Sequence, residues 1–247
     1  MNKLSLRINN ALAATGVSII AVGLLVAPAS ALATTSSTAK TAASSTNQSA
    51  KLQLIITRGN SEISRRLSTL NSLSSKINAS TTLSSSDKAV LSQEVNDEIS
   101  SLNALKTKLD ADTDVTTAKA DAQSIITDYR VYALVVPKTG LVIAADRQIA
   151  AESKLSDLAT KLDAKVSAAS KNAKSMQAAL ADMKAKIASA QTISNNVGSS
   201  VINLQPTDFN SDHNVLSGYR NQLKTAQNDL QAAVQDAKTI ITQLKTQ

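Results

Sequence analysis

Residues 216–244, LSGYRNQLKTAQNDLQAAVQDAKTIITQL, carry the most regular pattern in the chain. Their apolar positions alternate in steps of three and four residues: Leu216, Tyr219, Leu223, Ala226, Leu230, Ala233, Ala237, Ile240 and Leu244. Such spacing places one apolar seam along a helix, as in coiled coils. The segment is therefore predicted to be a long amphipathic helix that packs against another helix.

A second seam lies immediately upstream and runs from Leu155 to Leu204, with one extra residue between Leu162 and Val166. Between Gly140 and Pro206 there is no proline and only one glycine, Gly198. Because breakers usually mark loops between helices, the sequence favours one continuous helix over 141–204. The alternative is a tight turn within residues 167–175. Residues 205–210 would then fold the last helix back, which predicts an antiparallel hairpin over 171–247.

Three shorter helices are predicted before this region. Apolar steps of three and four indicate a helix over about 50–80 and another over about 86–111, the latter preceded by cap candidates at residues 84–86. A third helix should span 114–136 and end near Pro137 and Gly140, because proline disfavours helix in the residue before it. Together with the start of the long helix over 141–204, these three helices are predicted to form a four-helix bundle over residues 51–170.

The composition supports an all-α fold. The chain of 247 residues has one Phe, three Tyr and no Trp, so its core must consist of Leu, Ile, Val and Ala, which suits closely packed helices. Six Gly and three Pro provide too few turn signals for a sandwich, a barrel or an alternating α/β fold. The predicted architecture is an elongated antiparallel helical bundle with a coiled-coil-like helical hairpin.

The N-terminal residues have the features of an export signal. Lys3 and Arg7 precede an apolar stretch over 11–26, and small residues favour cleavage after Ala33. An uncleaved anchor is the alternative, although about 16 apolar residues are fewer than the roughly 20 of a spanning helix. Residues 34–50 hold one charge and no large apolar side chain, so they are predicted to be a disordered Ser/Thr/Ala linker. The mature protein is expected outside the cytoplasmic membrane, secreted or associated with the cell envelope.

No catalytic, cofactor-binding or metal-binding residue is predicted. The chain has no cysteine, and His213, its one histidine, is expected to cap a helix or to be exposed. The acids from Asp110 to Asp121 have partial calcium-loop spacing, but the sixth position is Val115 instead of glycine and the twelfth is Asp121 instead of glutamate. We therefore interpret them as a helix-breaking acidic turn, with weak divalent-ion binding as the alternative.

The run from 128 to 147 combines two of the four aromatic residues with the least polar stretch of the mature chain. A buried corner between helices is the favoured interpretation, and an exposed docking patch is the other. The sequences YRVYALVVPKTGLVIAADR (129–147) and LKTAQNDLQAAVQDAKTIITQLK (223–245) resemble a group of uncharacterised exported helical, coiled-coil-like proteins of small-genome bacteria. The resemblance implies a shared fold and assigns no functional residue.

Lysines suggest the one recognisable contact surface. Six of them face two aspartates between residues 161 and 190, and the formal net charge of the whole chain is +7. A solvated helix face explains such a strip, whereas contact with an envelope protein or an anionic envelope polymer is the sharper hypothesis. This contact would use Lys171, Lys174, Lys184 and Lys186. Nucleic acid is a less favoured partner, because the strip lacks arginine clusters and aromatic stacking groups.

These features favour a non-enzymatic structural or interaction protein outside the cytoplasm, acting as a helical spacer or binding surface at the cell envelope. An accessory or regulatory coiled coil for an envelope hydrolase is the alternative. A hydrolase in its own right is the weakest interpretation, because no acid–base pair converges on a recognisable loop.

Overall fold

The computed structural model describes residues 35–246, and within that range the chain forms seven α-helices and no strand. The helices are α1 (Thr35–Ala79), α2 (Ser85–Asp110), α3 (Val115–Thr127), α4 (Val136–Ser167), α5 (Ala173–Val201), α6 (Pro206–Ser211) and α7 (Val215–Leu244). A π-helical turn, Val131–Val135, leads directly into α4. The all-α helical bundle predicted from the sequence is confirmed. None of the described helices is long and apolar enough to cross a bilayer.

Helices α2 and α3 begin where side chains can replace the missing hydrogen-bond acceptors of the first turn. Ser84 accepts a hydrogen bond from the backbone N–H of Asp87, as the cap candidates predicted. Asp114 accepts hydrogen bonds from the N–H groups of Thr116 and Thr117 at 2.8 and 2.9 Å. The leucine and valine seam of α2 is buried, so both the start and the inward face of this helix agree with the sequence pattern.

Helix α1 is longer than the sequence pattern indicates. It begins at Thr35, whereas residues 34–50 were predicted to be a disordered linker. Residues 46–51 of this helix are all exposed. Adding a residue to an existing helix costs far less than nucleating one, and the stretch contains several alanines, which favour propagation. The proposed signal segment, residues 1–33, lies outside the described residues.

The prediction for the third helix is corrected at its C-terminal end. Helix α3 ends at Thr127, because the chain reverses at Arg130, whose φ of 44° lies in the left-handed region. Pro137 does not terminate a helix and instead lies in the first turn of α4. Pro137 directly follows the π-helical turn, in which the N–H of Val136 donates to the carbonyl oxygen of Val131, and this wider turn accommodates a residue that lacks an N–H. The preceding π-helical turn joins the two segments.

The continuous helix predicted over 141–204 is wrong. Helix α4 ends at Ser167 and α5 begins at Ala173, so the tight turn within 167–175 is the observed arrangement. Asn172 reverses the chain with a φ of 54°. Asparagine tolerates this left-handed conformation better than most residues, so it performs the role that glycine usually has.

Helices α4, α5 and α7 form an antiparallel three-helix bundle. The hydrogen bond between Asp229 and Ser189 (2.8 Å) and that between Gln243 and Ser175 (3.3 Å) show that α7 runs antiparallel to α5, as the predicted hairpin requires. However, α4 packs along both helices, so the hairpin is not a free two-helix arm. The shared core contains Ala159, Leu162, Val166, Met176, Leu180, Met183, Ile187, Ala233, Ala237 and Ile240.

A second core joins α1, α2 and α3 to one end of this three-helix bundle. It includes Ile63, Leu91, Leu109, Val142 and Val197. The carboxylate of Asp146 on α4 also accepts a hydrogen bond from the N–H of Ser84 at 2.7 Å, which ties α4 to the start of α2. Tight packing explains Gly59 on α1, because a Cβ there would lie 2.4 Å from Cδ2 of Leu109.

Candidate functional site

The predicted lysine strip does not form one uniform surface. Lys184 on α5 makes an ion pair with Asp163 on α4 at 2.7 Å. Lys186 pairs with Asp182 one turn earlier and with Asp236 on α7 at 3.2 Å. Acids on all three helices therefore compensate the charge of these two lysines. Lys171 and Lys174 lie beyond these pairs, in and just after the turn between α4 and α5.

One end of the three-helix bundle is rich in lysine. The hydrogen bond between Gln243 and Ser175 brings the end of α7 to the start of α5. Residues 164–181 and 237–246 contain five lysines and no acid: Lys165, Lys171, Lys174, Lys238 and Lys245. We call this set the basic tip. Among the described residues, Lys165 and Lys174 are exposed and make no ion pair.

Part of this basic charge has a structural explanation. The C-terminal ends of α4 and α7 both lie at the basic tip, and the partial negative charge of a helix C-terminus favours lysine by about 0.3–1 kcal/mol. Lys165 and Lys245 occupy such positions. Lys174 instead lies in the first turn of α5, where positive charge is electrostatically unfavourable. The stability of α5 therefore does not explain this lysine.

The acidic turn predicted between α2 and α3 is built from structural contacts. Asp114 caps α3, and Asp110 accepts hydrogen bonds from Asn60 and Lys106. Asp121 is buried and pairs with Lys108 at 2.8 Å. Within residues 35–246, no group of three or more His, Cys, Asp or Glu residues has an arrangement that could hold a metal ion. His213 lies edge-on against the ring of Phe209, with ring centroids 5.1 Å apart.

The apolar run around Pro137 forms a buried corner, as favoured from the sequence. Val131, Leu134 and Val142 are fully buried in the core shared by α1–α4. Tyr132 is the exception, since its side chain is 48% exposed and its ring lies 5.1 Å from the guanidinium carbon of Arg66. One aromatic ring at the surface does not make the run a docking patch.

Lys138 is an unexpected member of that corner, because its side chain is fully buried. Its Nζ lies 2.5 Å from Glu94 Oε1 and donates to the carbonyl oxygen of Leu204 at 2.8 Å and that of Ile202 at 3.4 Å. The lysine thereby donates to carbonyl groups that follow the last turn of α5, where no N–H group of the helix is available to them. It also compensates the negative charge of a neighbouring cleft.

This acidic cleft, of about 550 Å³, lies between α2, the end of α3 and the end of α5. Its lining includes Glu94, Asp97, Glu98 and Asp128. Burial, and secondarily the charge of Glu94, raise the pKa of Glu98 to about 7. Glu98 Oε2 is buried and has no hydrogen-bond partner. A carboxyl group with this pKa changes its protonation state near neutral pH, so the charge of the cleft depends on pH in that range.

A second buried polar cluster lies inside the three-helix bundle. Ser194 on α5 donates to Glu152 Oε1 at 2.7 Å and lies 3.1 Å from Gln148 Oε1, both on α4. Gln148 donates to the carbonyl oxygen of Leu223 on α7 at 2.9 Å. Burial raises the pKa of Glu152, although the hydrogen bond from Ser194 opposes the effect. These contacts fix the register of three helices, as buried polar groups can do in coiled coils.

Sequence reasoning missed both buried clusters, although the pattern contained a signal for one of them. Positions 141, 145, 148, 152, 155 and 159 continue the alternation of three and four residues on α4. Gln148 and Glu152 thus occupy seam positions, where a polar residue indicates a buried hydrogen-bond network. Lys138 gives no such signal, because its partners come from α2 and from the end of α5. Comparison of the chain with models of protein families, with curated proteins and with solved structures gave no match.

Proposed function

We propose that the mature protein is a non-enzymatic structural or interaction protein outside the cytoplasm, in which the three-helix bundle presents the basic tip to an anionic polymer of the cell envelope. The observation that carries this proposal is the basic tip itself, in which Lys165 and Lys174 are exposed and make no ion pair among the described residues. Kinship with the exported helical proteins that the sequence resembles is part of the same proposal.

The position of the basic tip suits the role of a spacer. Helix α5 has 29 residues and α7 has 30, which corresponds to about 45 Å of helix at 1.5 Å per residue. The tip lies at one end of these helices, and the core shared with α1–α3 lies toward the other. A bundle of this kind holds its charged end at a fixed distance from the rest of the fold.

The buried titratable groups support a structural role over a catalytic one. Lys138 is engaged with Glu94 and with carbonyl groups, and Glu152 is enclosed among three packed helices. His213 is at the protein surface beside Phe209. A general base needs access to a substrate proton, and a nucleophile needs a neighbouring base. The contacts of these groups instead serve packing.

Binding of purified protein to isolated cell envelopes tests the proposal. The test variant carries Lys165→Gln and Lys174→Gln in the basic tip, and the matched control carries Arg220→Gln and Lys224→Gln, which are exposed on α7 and distant from the tip. A lysine near an anionic surface contributes about 1 kcal/mol, so the tip variant should bind about 30-fold more weakly at low salt. The control should retain the affinity of the unaltered protein.

Salt dependence provides the second criterion. Attraction between exposed charges is screened over about 8 Å at physiological ionic strength, so binding should weaken as salt is added. Loss of the two tip lysines should also reduce this salt dependence. Equal binding by all three proteins at both salt concentrations would refute a role of the basic tip in envelope contact.

A further inference from the structure

A groove between α1 and α3 is an apolar surface without a partner in the fold. It has a volume of about 620 Å³ and is open to solvent along its length. Its apolar lining consists of Ile55, Ala122, Ile125 and Ile126, and Gly59 lies between them on α1. Ile126 is 50% exposed, and Ile55 and Ala122 are half-buried, so three apolar side chains of the groove stay accessible from solvent.

Basic side chains border this groove. Arg58 and Arg65 line it from α1, and Lys119 lines it from α3. The one acid in the lining is Glu62, which already pairs with Arg65 and with Arg66. Arg58 and Lys119 are exposed and make no ion pair within residues 46–246. The groove therefore combines an apolar floor with a rim of net positive charge.

We propose that this groove binds an acidic amphipathic helix of a partner protein. An amphipathic helix presents apolar residues every three or four positions and can place them in a groove between two helices. Acidic residues beside its apolar stripe would then meet Arg58, Arg65 and Lys119. Such complementary charges contribute specificity and a faster association rate, while the apolar contact slows dissociation.

The spacing of the cations favours a helix over a ligand with one charged group. Arg58 and Arg65 are seven residues apart on α1, which separates them by about 10 Å along the helix axis, and Lys119 lies on the opposite wall. A single headgroup could meet only one end of this series. A partner helix with acids one or two turns apart meets Arg58 and Lys119, and also Arg65, whose guanidinium it shares with Glu62. This binding surface is separate from the basic tip, so the inference does not depend on the proposed function.

Fluorescence anisotropy with a synthetic peptide tests the inference. The probe is a labelled peptide of about 18 residues, or about 27 Å of helix, with leucine at every third or fourth position and glutamate on both sides of the leucine stripe. A second peptide with glutamine in place of each glutamate is the control. The protein should bind the acidic peptide saturably and about tenfold or more tightly than the control peptide at low salt. Circular dichroism should show that the peptide gains helicity on binding.

Two protein variants with the same change in charge separate the groove from general electrostatics. Arg58→Glu with Lys119→Glu should weaken peptide binding about tenfold or more, whereas Arg220→Glu with Lys224→Glu on α7 should leave it within about twofold. Ile126→Ser should weaken binding at high salt as well as at low salt, because it removes apolar contact. All substituted side chains are exposed, so thermal melts should be unchanged.

Three results would overturn the inference. The first is the absence of saturable peptide binding at concentrations up to about 1 mM, which corresponds to about −4 kcal/mol. The second is an equal loss of affinity in the groove variant and the α7 variant, which would indicate attraction by net charge alone. The third is binding of phosphatidylglycerol vesicles that depends on Arg58 and Lys119 while peptide binding does not, which would make the groove a lipid site.

Discussion

Replacement of Glu98 by glutamine should stabilise the protein at alkaline pH. Glu98 lies in the acidic cleft, where one carboxylate oxygen is buried without a hydrogen-bond partner. Burial disfavours its ionised form most strongly, and the charge of Glu94 adds to the effect, so the pKa is raised to about 7. The Glu98→Gln variant removes the charge while keeping almost the same side-chain volume.

The size of the effect follows from proton binding. Between the ordinary pKa of 4.5 and a folded-state pKa of about 7, the folded chain binds more protons than the unfolded chain. The free energy of unfolding therefore falls as pH rises through this window and stays low above it. Each pKa unit corresponds to about 1.4 kcal/mol, so the rise sets an upper limit of about 3.5 kcal/mol for the loss above pH 7, and solvent screening of this half-buried group brings the loss below that limit. Below pH 4 the carboxyl group is protonated in both states and contributes no difference.

Urea unfolding followed by circular dichroism from pH 4 to pH 9 measures this loss. The unaltered protein should lose stability as pH rises toward 7, and the Glu98→Gln variant should show a flatter profile with a gain of up to about 3 kcal/mol at pH 8. Asp97→Asn is the matched control, because Asp97 is an exposed acid of the same cleft. If Glu98→Gln and Asp97→Asn give parallel profiles, the raised pKa of Glu98 is refuted.

Two further pairs of variants test packing within the bundle. Gly59→Ala should lower the free energy of unfolding by about 1 kcal/mol or more, because overpacking at Leu109 outweighs the better helix propensity of alanine. Gly140→Ala should instead raise the free energy of unfolding by up to about 1 kcal/mol, because a Cβ at this position meets no neighbouring atom. If urea titrations of the two glycine variants shift in the same direction, the close contact between Gly59 and Leu109 is contradicted. Ser194→Ala should cost about 1–3 kcal/mol at neutral pH, since it leaves buried oxygens unpartnered, whereas the exposed Ser199→Ala should stay within about 0.5 kcal/mol. Similar melting temperatures for the two serine variants would show that the buried network contributes little.

Periodicity predicted the helices well because each seam is a local property of the sequence. The buried face of α7 contains Leu216, Leu223, Leu230 and Ile240, all seam positions. The cap at Ser84 could also be predicted, since its hydrogen bond reaches only three residues along the chain. Local patterns of this kind determine which residues are helical and which side of the helix is buried.

The errors in the predicted helix boundaries arose at residues that are compatible with more than one backbone conformation. Asn172 reverses the chain between α4 and α5 in the left-handed region, yet the seam on both sides continues without a glycine or proline. Pro137 was interpreted as a helix end, although proline is equally suited to a first turn. In each case the tertiary packing selected the conformation, and the local sequence pattern around the residue does not specify it.

The candidate sites were less predictable than the helices because they depend on which helices are neighbours. The basic tip requires the end of α7 to meet the turn before α5, and the strip proposed from sequence also contained Lys184 and Lys186, which prove to be ion-paired. The groove with basic side chains at its rim requires α1 and α3 to form its two walls. The sequence showed how many charged side chains each segment has, but it did not show which of them form ion pairs with one another.

The reversal between α4 and α5 is the claim on which the basic tip and the three-helix bundle both depend, and one distance tests it directly. The chain has no cysteine, so Asp163→Cys with Lys184→Cys allows two spin labels to be attached at unique positions. Lys184 Nζ and Asp163 Oδ2 are 2.7 Å apart, and the axes of packed helices are about 8–10 Å apart. Double electron–electron resonance should therefore give a distance between the two spin labels below about 20 Å. A separation of about 31 Å, the length of 21 residues of uninterrupted helix, would contradict the three-helix bundle.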